Sequence, residues 1–345
     1  MLRASMHSHE HSHAGHDHPH GDGHEEDARS AKKPAGHAGH AHAHGHMHGH
    51  VHGEPTKGSA FAIGIVLNLA FVLIEVGAGF WAHSVALIAD AGHNFGDVLG
   101  LGLAWGAAAL AQRKPSARRT YGLRRTTIVA SVTNALTLLF ISGGLAWESA
   151  RRLFTPNVVA SKVVIAVALL GAVLNLGAAL PFLRGRHGDL NVRSAFMHLA
   201  ADAALSLGVA AGGVVVMCTG WGWVDPAVSI ALTVTILVGT WSLMRSSLDL
   251  MLDAVPEGID PDAVRKFLAG LPGVVEIHDL HIWAMSTTET ALTAHLVMPA
   301  NASAPSFLSE ACKAIHEEFG IDHATLQVDP QDAPHPCRLS AEEAH

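Results

Sequence analysis

Six apolar segments of membrane-spanning length leave few folds open to this chain. They lie near residues 60–82, 85–111, 125–147, 160–183, 194–218 and 223–245. Each reaches the roughly 20 residues a helix needs to cross the hydrocarbon core of a bilayer. Backbone polar groups find no water there, so each span must satisfy its own hydrogen bonds as a helix. Small residues recur in the spans, at Gly96, Gly100, Gly102, Gly106, Gly208, Gly212 and Gly213, and permit close helix contact. A chain of 345 residues could instead hold soluble domains, but a charged fraction of only 15% and a mean hydropathy of +0.27 fit a polytopic membrane protein with soluble ends.

Charge in the short loops orients the spans. The loop after the second span holds Arg113, Lys114, Arg118, Arg119, Arg124 and Arg125, and the loop after the fourth holds Arg184, Arg186 and, at its edge, Arg193. The loops after the first and fifth spans hold no Lys or Arg. The positive-inside rule then puts the basic loops and both termini in the cytoplasm. The loop after the third span, with Arg151, Arg152 and Lys162, fits this less well. Trp81, Trp147, Trp221 and Trp223 lie near span ends on the outer side, where interfacial anchors belong.

Residues 1–59 read as a disordered, His-rich cytoplasmic tail: His, Gly, Ala and acidic residues with almost no large apolar side chains. Sixteen of the 27 histidines fall between His7 and His52, mostly at alternate positions, a pattern that chelates divalent metals as a loose ensemble. These first residues contain no apolar run of the signal-peptide kind, so the first span directs insertion itself. The net charge of −8 gives no reason to expect a nucleic-acid partner. The three cysteines, Cys218, Cys312 and Cys337, form neither a disulfide framework nor a C-x-x-C pair.

After the spans, which end the transmembrane domain near residue 248, residues 249–332 read as a small soluble α+β domain, with 333–345 a flexible tail. Asp260-Pro261 reads as the start of a helix running to about Leu271, where Pro272-Gly273 stops it. Val274–Met285 alternates and is rich in β-branched residues, Ser286–Glu289 is turn chemistry, and Thr290–Met298 alternates again. Pro305–Phe319 reads as a helix ended by Gly320, and His323–Asp329 as a last strand. The order αββαβ predicts a small sheet with helices on one face, and so small a domain gains from dimerisation.

The chemistry lies in the spans. His93-x-x-x-Asp97 sits in the second and His198-x-x-x-Asp202 in the fifth. Residues four apart share a helix face. A lone His on an apolar helix is usually a packed core residue. An Asp at the bilayer centre is different, costing about 2.5–3.5 kcal/mol on insertion scales. If the two faces meet, two imidazoles and two carboxylates surround one point. That set suits a tetrahedral divalent cation, zinc above all, although Co²⁺, Cd²⁺ and Ni²⁺ accept similar ligands. With the second span running inward and the fifth outward, His93 lies outward of Asp97 while His198 lies inward of Asp202, a crossed arrangement that can close a four-ligand shell at a single depth. Asp90 borders the same face as His93, as a supporting partner, a proton carrier or a packing residue. Asn68 and Glu75 share a face of the first span, where Glu75 lines the polar interior or sits near a membrane surface.

In the soluble domain, His278, His295 and His323 come from three different strands and could converge on a metal. His278 and His281 point to opposite faces unless their strand is bulged.

Several of these stretches together resemble the cation diffusion facilitator family, over about residues 58 to 330. Ser84-Val-Ala-Leu-Ile-Ala-Asp90-Ala-Gly-His93-Asn-Phe-Gly-Asp97 is similar to its second-helix signature, and Asn191-Val-Arg-Ser-Ala-Phe-Met-His198-Leu-Ala-Ala-Asp202 to its fifth. Gly222-Trp-Val-Asp225-Pro226 resembles the opening of its sixth helix, and His278-Asp-Leu-His-Ile-Trp283 the soluble-domain signature of its zinc branch. The resemblance is greatest to bacterial zinc, cadmium and cobalt efflux members. It implies a homodimer of six-helix protomers in the lipid of a bacterial inner membrane, with a ferredoxin-like cytoplasmic domain. It also implies export of a divalent metal in exchange for protons, without an organic cofactor. His93, Asp97, His198 and Asp202 match the family's transport-site positions, and His278, His295 and His323 fall where members bind regulatory metal. Two departures stand out. Tyr121-Gly-Leu-Arg-Arg125 is followed by Thr126 and Thr127 where many members have Glu, and Gln327 stands where some have a third-strand His. The loop after the second span has neither His nor Asp, so the metal site some members carry there is not expected.

Two other functions are compatible with metal ligands in a membrane. A membrane-bound sensor or store would work through the tail and dispense with the intramembrane pairs. A metalloenzyme would need an open coordination position and a nucleophile, and a saturated two-His, two-Asp site offers neither.

Overall fold

The computed structural model of the chain describes residues 58–183, 190–299 and 306–331. The His-rich tail, Arg184 and Arg186 lie outside them, as do residues 333–345. Six helices form the first part: α1 (Gly58–Ala82), α2 (Val85–Ala111), α3 (Thr126–Phe154), α4 (Ser161–Ala179), α5 (Leu190–Thr219) and α6 (Val224–Met251). All six are long and apolar enough to cross a membrane. Large apolar side chains such as Leu73, Phe140, Trp147 and Val173 point outward, as lipid requires and water would not tolerate.

Small residues set the packing. A Cβ on Gly96 would lie 2.1 Å from Leu138 of α3, and one on Gly213 would lie 2.9 Å from Ile165 of α4. Along these seams α2 packs on α3 and α5 on α4. α3 also lies along α6, and α1 packs against α2 and α4. Ala82, Ala86, Leu87, Val164, Ala168, Val209 and Leu232, from five helices, form one buried cluster at the end of the bundle where α1 turns into α2.

That end is fastened by hydrogen bonds. Ser84 caps α2, accepting from the Leu87 N–H at 3.1 Å. Asp225, in the first turn of α6, accepts from the Ser84 hydroxyl and from the Val85 N–H at 2.8 Å. Ser229 donates to the Val85 carbonyl at 3.1 Å, and Ser149 of α3 donates to Ser229 at 2.7 Å.

Two helices outrun their apolar stretches. α3 continues from residue 147 to Phe154 because Glu148 pairs with Arg151 and Arg152 one turn on, at 3.0 and 2.8 Å. Arg152 also donates to the His83 carbonyl at the end of α1, at 2.8 Å. These two arginines, awkward for the positive-inside rule, are therefore both paired with Glu148, which offsets one of their two charges. α6 continues from residue 245 to Met251, so the division expected at residue 248 falls within its last turn.

The second part has the expected order αββαβ: α7 (Pro261–Ala269), β1 (Glu276–Ala284), β2 (Thr290–Met298), α8 (Phe307–Phe319) and β3 (His323–Pro330). Asp260 caps α7, with Pro261 in its first turn, and Gly320 closes α8 in the left-handed conformation at φ 67°. β1 pairs antiparallel with β2, and β2 parallel with β3. Val264 and Leu268 of α7 and Ile315 of α8 pack with Ile282, Leu292, Leu296 and Met298 on one face of the sheet.

The domain touches the bundle through the loop between α2 and α3. Arg124 pairs with Glu289, Arg125 pairs with Asp253, and Thr127 accepts from the Thr287 N–H at 3.1 Å.

Candidate metal centre

α2 and α5 run in opposite directions and meet over a short stretch, and there His93, Asp97, His198 and Asp202 come together. His93 Nε2 lies 3.2 Å from Asp202 Oδ1 and 3.9 Å from Asp97 Oδ2. His198 Nε2 lies 3.9 Å from Asp97 Oδ1 and 3.6 Å from Asp202 Oδ2. Each imidazole thus faces a carboxylate of its own helix and one of the other. No Lys or Arg among the described residues pairs with either carboxylate, so a cation held between them is what would balance their charge.

Access to the four is uneven. The side chains of Asp202 and His93 are 7% and 16% exposed, those of Asp97 and His198 32% and 41%. The more exposed pair lies nearer the end of the bundle that carries the α+β domain. The pair nearer the fastened end is covered.

Behind the four lie further polar residues. Glu75 of α1 is fully buried and accepts from the Asn94 side-chain amide at 2.8 Å. Asp90 is 2% exposed. Asn68, on the same face of α1, is exposed. The sequence signal for Asn94 was its place beside His93. For Asp225 it was an Asp-Pro step at the mouth of an apolar span, which marks a helix start but not the partner it caps.

The soluble domain has a second cluster, with a different membership from the three histidines expected. His278 and His295 are directly paired across β1 and β2, their rings 5.0 Å apart, and Gln327 follows in register on β3. The carboxylate of Asp329 joins them, 2.8 Å from His295 Nδ1 and 3.5 Å from His278 Nε2. His323 stands apart: it pairs with Ala291, four residues along β3 from Gln327, or about 13 Å of strand. Its ring meets the edge of Tyr121 at 5.8 Å. Gln327, where a histidine was lacking, donates to Asp329 at 2.8 Å.

β1 is bulged between His278 and His281, with Asp279 at φ 53°. The extra residue returns His281 to the same face of the sheet as His278. Asp279 lies 2.9 Å from His281 Nε2 and 3.7 Å from His295 Nε2. All of these residues lie on the face opposite the helices.

A bundle of six spanning helices with two imidazoles and two carboxylates at its heart, joined to a small α+β domain, defines a multi-pass membrane protein that handles divalent cations. Comparison with known proteins gives the class a family. The profile described as "Cation efflux transmembrane domain" matches residues 61–252, and that described as "Cation efflux protein, cytoplasmic domain" matches residues 256–331. The metal cation efflux system protein CzcD of Cupriavidus metallidurans is 35% identical over 268 residues, covering 77% of this chain and 85% of that protein. A cadmium, cobalt and zinc/H(+)-K(+) antiporter of Bacillus subtilis is 30% identical over 286 residues, 82% of this chain and 92% of that one. The zinc transporter ZitB of Escherichia coli is 31% identical, across 81% of this chain and 90% of its own. The chain belongs to the cation diffusion facilitator family, in its zinc, cadmium and cobalt branch. It is a divalent metal efflux transporter and not an enzyme.

Proposed function

We propose that the protein exports Zn²⁺ from the cytoplasm in exchange for protons, with His93, Asp97, His198 and Asp202 as its transport site. The convergence of these four side chains from two antiparallel helices carries the reading. Tetrahedral bonds of about 2.0–2.1 Å set ligand atoms about 3.3–3.4 Å apart. His93, Asp97 and Asp202 each offer one ligand atom within 4.8 Å of the others, and His198 Nε2 lies 3.6 and 3.9 Å from the two carboxylates, so a small inward movement of His198 completes the set. The names of the relatives, a zinc transporter and a cadmium, cobalt and zinc antiporter, agree with the choice of ion and of coupling.

Zn²⁺ needs neutral imidazoles and ionised carboxylates, so metal and protons compete for the same groups. Binding is favoured from the cytoplasm, and release on a more acid side where the ligands take protons. The greater exposure of Asp97 and His198 suits an inward-open state, and the fastened end is the gate that opens in the alternate one. Both termini are assigned to the cytoplasm of a bacterial inner membrane, on the basic loop after α2. The soluble domain is assigned a dimerising and regulatory role, with His278, His295 and Asp329 as metal ligands. The His-rich tail collects ions for the site.

Metal uptake into inverted vesicles, run over a panel of cations with an imposed proton gradient, tests the proposal. Zn²⁺ should accumulate in exchange for protons, and Asp97→Ala or His198→Ala should abolish this with the protein still folded. Full activity in both variants would overturn the site.

A further inference from the structure

Glu75 and Asp90 are two carboxylates inside a membrane bundle, and among the described residues no Lys or Arg pairs with either. Glu75 is 0% exposed and Asp90 2%. One oxygen of Glu75 accepts from Asn94, and its other oxygen is buried without a hydrogen-bond partner among the described residues. One oxygen of Asp90 is in the same condition. α1 packs against α2 and α4. From α2 the charged or titratable groups facing Glu75 are Asp90 and His93. α4 carries a single ionisable residue, Lys162, exposed in its first turn at the fastened end. Asp90 in turn faces Asp202 on α5 as well as His93.

Two ionised carboxylates in these surroundings would lack water, and the one imidazole that faces both, His93, can offset at most one of the two charges. A bound proton removes one of the charges. The position of that proton matters. Glu75 is tied to Asn94, the residue beside His93, so the pair lies within the field of whatever ion the transport site holds. A divalent cation there favours the ionised pair. Its departure favours the protonated one.

We infer that Glu75 and Asp90 form a proton-binding site, separate from the metal ligands, that carries part of the counter-flux. The inference rests on the proton antiport proposed above. As the metal ion leaves, one carboxyl O–H bond forms, with its proton drawn from the water to which the site is then open. As the next ion arrives that bond breaks, and the proton leaves to the opposite side. Asn94 positions Glu75 and carries no proton.

The test uses the full-length protein in sealed proteoliposomes, with zinc alone as the ion. Two fluxes are compared for wild type and Glu75→Gln, which keeps the side-chain size and an acceptor for Asn94. The first is zinc accumulation driven by a pH gradient. The second is zinc-for-zinc exchange without a gradient, which needs no net proton movement. The variant should keep exchange and accumulate less zinc under the gradient, with fewer protons moved per zinc as read by a pH-sensitive dye inside the vesicles. Equal protons per zinc in variant and wild type would overturn the inference, and so would loss of exchange together with accumulation. Wild-type protein that fails to accumulate zinc under the gradient would instead overturn the antiport itself. Asp90→Asn, expected to be uncoupled in the same way, gives the same readout should Glu75→Gln not fold.

Discussion

At the scale of single residues, charge in an apolar run was the legible signal. His93, Asp97, His198 and Asp202 stand out in the sequence because a carboxylate in lipid needs a reason, and their four-residue spacing gives the shared face. The second cluster was harder to read. Strand alternation assigns His278 and His281 to opposite faces, and a single extra residue at Asp279 reverses that. A bulge leaves little trace in composition, so Asp279 was not seen as a partner. Asp329 lies on the same face as His323 but at the other end of β3, and an acidic residue at a strand end carries no metal signal of its own in the sequence. If the cluster binds metal, Asp329→Ala should weaken Zn²⁺ binding by the full-length protein, while His323→Ala should leave it unchanged; isothermal titration separates the two.

Cys312 gives a pH-dependent expectation at the same scale. Burial pushes its thiol above the ordinary thiol range, and its Sγ lies 3.8 Å from the Ala324 carbonyl. The folded domain therefore holds the thiol proton more tightly than the unfolded chain does. Its contribution to stability is complete below the unfolded pKa and is lost as pH rises through the folded one. Alkylation at pH 8 should be slower at Cys312 in the folded protein than in denatured protein, as mass spectrometry would show.

Among the elements, boundaries marked by a capping residue were written in the chain, Gly320 at the end of α8 included, and the far ends of α3 and α6 were not. Ser84 and Asp260-Pro261 announce α2 and α7 through side chains that cap them. The far ends of α3 and α6 lie beyond the apolar runs, where Glu148 pairing with Arg151 and Arg152 carries α3 onward. Hydropathy cannot report such pairs. The clasp on α2 was equally hidden, because Asp225 and Val85 are 140 residues apart in sequence. Asp225→Ala leaves the Val85 N–H and the Ser84 hydroxyl without their acceptor, at a cost of about 1–3 kcal/mol. The melting temperature in detergent should fall, and fall less for Asp225→Asn, which retains an acceptor oxygen. The seam between α2 and α3 offers a paired test. Gly96→Ala puts a methyl group against Leu138, next to Asp97, and overpacking of this kind costs about 1–3 kcal/mol. Leu138→Ala opens room, so the double variant should regain transport that Gly96→Ala loses.

For the whole molecule, the number of spans and the order of the soluble elements followed from the sequence, and the contacts joining the two parts did not. Arg124 and Arg125 read as topology signals, yet they also pair with Glu289 and Asp253. The side chains of Arg125 and Asp253 are each 54% exposed, so their pair contributes at most about 1 kcal/mol. Arg125→Ala should therefore barely move the melting temperature. If the pair relays domain movements to the bundle, the same variant should alter transport rate, and Arg125→Asp with Asp253→Arg should restore it.

The short meeting of α2 with α5 has a mechanical consequence. Each helix is seated along its own neighbours, α2 on α1 and α3, α5 on α4. The two share the buried cluster at the fastened end and a common neighbour in α6, and beyond these they meet at the four proposed ligands. If these four hold the ion as proposed, a bound ion is a removable crosslink at the open end, present while cargo is aboard and absent on the return. The protein should be stiffest when loaded and most compliant when empty, so the cargo itself helps to set which way the bundle is free to bend.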